Sequence, residues 1–150
     1  MIVPAFLVIV AILLTSCSDK NEVLKGDWAI ESIYYDSCNM KTSFSLNILR
    51  LFDQACELPD VMNNGCGLDF NLSETKGKYS IREIDNKLFF IIDADNDLFK
   101  GRYLAKFYVD EKKKLFILNL SSTHLKITMA KLFLDYDWSK REIDYWIKKT

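Results

Sequence analysis

The sequence predicts an all-β protein: an antiparallel up-and-down meander of about eight strands, followed by a short C-terminal helix. Three observations carry that reading. From Trp28 onward, short apolar runs rich in β-branched and aromatic residues alternate with polar turn clusters. Several of those clusters are too short for anything but antiparallel neighbours. The composition, with five Gly, two Pro and 13% aromatic residues in 150, suits a well-filled interior and argues against disorder.

The strands are expected, in order, at 28–35 (WAIESIYY), 45–52 (SLNILRLF), 68–72 (LDFNL), 78–84 (KYSIREI) and 87–93 (KLFFIID), then at 99–109 (FKGRYLAKFYV), 114–120 (KLFILNL) and 124–133 (HLKITMAKLF). The sixth has the cleanest alternation. Phe99, Gly101, Tyr103, Ala105, Phe107 and Val109 share one face, and Lys100, Arg102, Lys106 and Asp110 the other, as in a half-buried strand. Asp85-Asn86 and Asp110-Glu111-Lys112-Lys113 supply hairpin turns. Ser139-Lys140-Arg141-Glu142 reads as a capping box. Ile143, Trp146 and Ile147 follow at i, i+3 and i+4, which predicts a short amphipathic helix packed on the sheet.

Met1 to Ser16 contains no charged side chain, so all 20 basic and 21 acidic residues lie after it. The segment matches the core of a signal peptide and falls short of the ~20 residues of a bilayer span. Leu14-Thr15-Ser16-Cys17 resembles the bacterial lipobox, a branched apolar residue and two small residues before a cysteine. The resemblance implies acylation of the Cys17 thiol and cleavage in front of it. Two or more acyl chains hold a protein stably on a bilayer where one is marginal. The expected organisation is a lipoprotein signal peptide at 1–16, a lipidated tether at 17–23 and a barrel domain at 24–150. Ser18 after the cysteine is not the Asp that retains enteric lipoproteins at the inner membrane, so an outer-membrane address is expected, on the periplasmic face or the cell surface.

Leu24-Lys25-Gly26-Asp27-Trp28 opens the first strand with Gly-x-Trp. With eight meandering strands and a C-terminal helix, this resembles the lipocalins, in particular the short lipocalin-like lipoproteins of Gram-negative bacteria. The resemblance implies a closed barrel with Trp28 plugging its floor and a basic residue of the last strand, Lys131 or else Lys126, lying over it. A barrel of this size accepts a small apolar molecule in its mouth or fills itself with side chains. In the first case Trp28, Tyr103 and Phe107 would line the ligand site. In the second, function lies outside, in envelope interaction or as an accessory protein. The dense aromatics of the sixth strand favour the filled barrel.

With Cys17 acylated, Cys38, Cys56 and Cys66 remain for an oxidising compartment. Cys38 lies in the connection between the first and second expected strands, and Cys56 and Cys66 both lie in the next. Successive connections of a meander sit at opposite ends, here separated by a strand of roughly 26 Å, whereas a disulfide needs Cα atoms within ~7 Å. The expectation is a Cys56–Cys66 disulfide with Cys38 free. A pair containing Cys38 would require the connection 53–67 to fold back along the barrel.

Reactive constellations are sparse. His124 is the single histidine and sits in a strand-entrance turn, "SSTHLKI", without the arrangement of a nucleophilic triad. Asp93-Ala94-Asp95-Asn96-Asp97 alternates carboxylates as a calcium loop does, but Leu98 and Leu104 occupy the positions that need Gly and Glu. No catalytic residue, metal site or cofactor is expected, nor an enzyme. A formal net charge of −1 gives no basic face for nucleic acid. The expected partners are the membrane through Cys17, a small hydrophobic ligand on the open-barrel reading, and an envelope protein that the sequence does not identify.

Overall fold

The computed structural model describes residues 21–63, 65–133 and 136–150; the lipobox and Cys17 lie outside them. The chain forms β1 (Gly26–Tyr35), β2 (Cys38–Asn39), β3 (Ile48–Leu51), β4 (Ala55–Glu57), β5 (Lys76–Ile84), β6 (Lys87–Ala94), β7 (Gly101–Asp110), β8 (Leu115–Ser121), β9 (Leu125–Leu132) and α1 (Tyr136–Lys148). All pairings are antiparallel. β1 and β3 to β9 follow one another around a closed ring, sealed where Ala29 meets Ala130 and Tyr35 meets Leu125, while β2 hangs on the end of β1. The expected eight-stranded meander is therefore a closed barrel with one extra short strand.

Local chemistry sets the turns. Asp85 and Asn86 both take positive φ, 51° and 58°, which matches the twist of a two-residue hairpin between β5 and β6. Asp36 and Ser37 do the same between β1 and β2. On β7, Tyr103, Ala105 and Phe107 point into the barrel and Arg102, Lys106 and Tyr108 point out, as the alternation predicts.

Two expected strands change. The run 45–52 narrows to β3, and β4 forms from 55–57, where a connection was expected. The run 68–72 is not a strand. Leu68, Phe70 and Leu72 do pack on the core while Asp69 and Asn71 face solvent, so the alternation reflects an extended segment lying over the barrel without a neighbouring strand to pair with. Helix α1 begins at Tyr136, three residues before the expected capping box. Its Ile143 and Trp146 are buried as the helical spacing requires.

The same change corrects the disulfide. Cys38 is bonded to Cys66, with Cα atoms 6.1 Å apart, and Cys56 is free and buried. β4 adds one more traverse of the barrel, so the connection 58–75 returns to the end that holds 36–47 and not to the opposite one. Cys56 is not in a connection at all. It sits on β4 in register with Leu51 and Gly77, pointing inward and 2% exposed. The rule that bridged connections share an end survives; the strand count between them did not.

Candidate functional site

At the floor, the turn Glu22–Leu24 crosses the barrel before β1 begins. Gly26 holds φ at +106°, which a side chain would strain, and a Cβ there would lie 3.5 Å from Lys131 Nζ. Trp28 is fully buried and donates its indole N–H to the Leu24 carbonyl at 2.7 Å. Lys131, from β9, donates its ammonium to the carbonyls of Val23, at 3.0 Å, and of Lys25. Burial pushes Lys131 below its usual pKa. Of the two expected lysines it is thus Lys131 that reaches the floor, where it ties down the incoming segment; Lys126 is exposed on the outer wall.

Phe116 joins two expected site residues, 5.5 Å from Trp28 and stacked at 5.3 Å on Phe107. Phe107 in turn meets Trp146 of α1 at 5.5 Å. β6 and β7 pair only from Phe89 to Ile92 against Gly101 to Leu104, so the Phe107 N–H faces a gap. Thr150 Oγ1, just beyond α1, accepts that N–H at 3.4 Å. Tyr103 lies one turn of the pleat higher. Its hydroxyl donates to the Phe99 carbonyl at 2.7 Å, and burial raises the phenol well above its usual pKa, so it stays a neutral donor. Phe90 and Phe99 are also fully buried. The interior thus holds six large buried aromatic side chains, Trp28, Phe90, Phe99, Tyr103, Phe107 and Phe116, within one core cluster, in a barrel class whose lumen is just wide enough for side chains.

The mouth is roofed. Phe44 (3% exposed) packs 5.9 Å from Phe99 and bridges to Val61, and Ser43 accepts the amides of Met62 and Asn63. Asn96, fully buried, donates to the Glu74 carbonyl at 3.0 Å and accepts the amides of Leu98 and Phe99. Asp97 accepts the Asn71 amide at 2.8 Å. The Cys38–Cys66 bond clamps 36–47 to 58–75. The alternating carboxylates at 93–97 are therefore spent partly on closing the roof. Among the described residues no group of three or more His, Cys, Asp or Glu is placed to hold a metal.

His124 Nδ1 lies 2.8 Å from Asp36 Oδ1, and its ring stacks on Tyr35 at 5.7 Å. Ser122 Oγ turns to the backbone of Leu125, so this serine and histidine do not form a nucleophile–base pair. Clefts among the described residues include one of about 380 Å³ at Ser45, Arg50 and Asp60, one of about 510 Å³ at Lys78, Arg82 and Lys100, and one of about 500 Å³ at Asn21, Tyr79 and Trp146.

Burial also raises the Cys56 thiol to a pKa of about 11. The native protein is expected to leave Cys56 unlabelled by a soluble maleimide and to react only after unfolding. Rapid native labelling would show that β4 opens.

The fold is a closed antiparallel barrel with a roofed mouth and, among the described residues, a large aromatic cluster buried inside it. Scans against protein-family models, curated proteins and solved structures each returned no match.

Proposed function

We propose that the chain is a lipoprotein of the cell envelope, tethered through an acylated Cys17, whose barrel works as a rigid body for contacts on its outside. The observation that supports the outward role is the packed interior beneath a clamped roof: Trp28, Tyr103 and Phe107, which would line a ligand site, are each fully occupied by protein neighbours. A rigid accessory or interaction protein of the envelope suits such a body better than a carrier of small apolar molecules. The lipobox resemblance at Leu14 to Cys17 supports the anchor, with an outer-membrane address where the envelope has one.

Expressed in a bacterium, the wild-type chain should incorporate labelled fatty acid and partition into detergent, and Cys17→Ser should abolish both because the thiol is the acyl acceptor. Acylated Cys17→Ser protein would overturn the anchor. Native mass spectrometry of residues 18–150 should show no bound lipid; a stoichiometric apolar ligand would overturn the filled barrel.

A further inference from the structure

The even charge total hides a segregation. On the outer wall built by β5, β6 and the first half of β7, Lys78, Arg82, Lys100, Arg102 and Lys106 are all exposed. Asp93 is the one carboxylate on the outward positions of that wall. Among the described residues none of these five cations is in an ion pair, whereas Lys25, Arg50 and Lys149 are each neutralised by carboxylates. Register gathers the cations: Arg82 stands opposite Phe89, and Phe89 opposite Leu104, while Ile91 pairs with Arg102. The Arg102 guanidinium lies 5.0 Å from the centre of the Phe89 ring. The result is a half-buried apolar strip of Phe89, Ile91 and Leu104 flanked by unneutralised cations.

The chain enters the described structure beside this wall. Asn21 shares a cleft with Gln54, Tyr79 and Ser80, and the same three residues also line the neighbouring cleft that holds Lys78, Arg82 and Lys100. From Cys17 to Asn21 the chain can span at most about 14 Å. A lipid on Cys17 would therefore hold the bilayer within reach of this wall.

We propose that the outer face of β5, β6 and β7 docks flat on the anionic headgroups of the membrane that carries the chain, so that the barrel lies on its side. The membrane as occupant rests on the lipoprotein reading, but the docking itself is testable without the lipid. Anionic surfaces attract basic residues within a Debye length, and the cations stand together on one face of three neighbouring strands, where a single headgroup surface can meet them. The apolar strip between them suits the boundary between headgroup and acyl chain.

The barrel closes and fills its core with residues from Val23 to Trp146, so residues 18–150 carry the whole fold. This unacylated chain should sediment with vesicles of phosphatidylcholine mixed with phosphatidylglycerol, not with phosphatidylcholine alone, and should be released by salt. Replacing Lys78, Lys100, Arg102 and Lys106 by Gln should weaken binding on the order of fivefold per cation. A variant of equal net charge, with Lys41, Lys112, Lys113 and Lys126 changed to Gln, should bind nearly as wild type; circular dichroism melts check that both fold. The proposal is overturned if the wall variant binds as wild type, if the control loses as much, or if the wild type binds heparin but not anionic vesicles. Absent acylation would remove the anchor and leave vesicle binding standing. An acylated Cys17 with an unaffected wall variant would remove this proposal alone.

Discussion

Phe107→Ala is expected to lower the free energy of unfolding by about 3 to 5 kcal/mol, a large part of the 5 to 15 kcal/mol typical of a single domain. The ring is 1% exposed and lies between Phe116 and Trp146. Removing it opens a cavity at the point where the barrel interior and α1 meet, and neighbours on a closed sheet have little freedom to collapse into it. The Trp146 contact would go as well, loosening the helix that supplies Thr150 to the Phe107 N–H. Phe107→Leu, which keeps most of the volume, should cost distinctly less. Urea denaturation of residues 18–150 checks both. An unchanged midpoint for Phe107→Ala would mean that this face borders open space, and would return the ligand-carrying barrel to favour.

What the sequence reveals here depends on how local each signal is. The alternation on β7 is carried by its own residues, and the structure places Tyr103, Ala105 and Phe107 inside accordingly. The hairpin at Asp85-Asn86 was readable for the same reason, since two adjacent residues that tolerate positive φ suffice. β3 and β4 have four and three residues, too few for a period to show against a chain of mixed polarity. The segment around Phe70 carries an alternation without a strand because lying over a roof also exposes every second side chain. The basic wall was half visible. Lys100, Arg102 and Lys106 stand out as the polar face of one strand, but Lys78 and Arg82 join them only through the register of β5 on β6 and β6 on β7.

Cys38→Ser/Cys66→Ser is expected to cost about 3 to 4 kcal/mol, the loop-closure entropy for cross-linking residues 28 apart. The loss should be confined to one end of the molecule. β1 and β9 close the ring without help from the bond, and Phe44, Met40 and Phe99 bury the roof's apolar side chains independently of it. The double variant should therefore keep the β-sheet signal in circular dichroism while the connection 58–75 becomes open to limited proteolysis. Among the described residues that segment holds to the rest through few backbone bonds, those of Asp60, Met62 and Asn63 to 43–45 and of Asn71 to Asp97 among them. Non-reducing peptide mapping of the wild type should recover Cys38 joined to Cys66 and Cys56 alone. A Cys56–Cys66 link would place 58–75 at the floor with the turn after β3, which is incompatible with Phe44 bridging to Val61. The mapping thus tests the roof itself, because a Cys38–Cys66 bond can form only if β4 returns the chain to the end where β1 turns into β2.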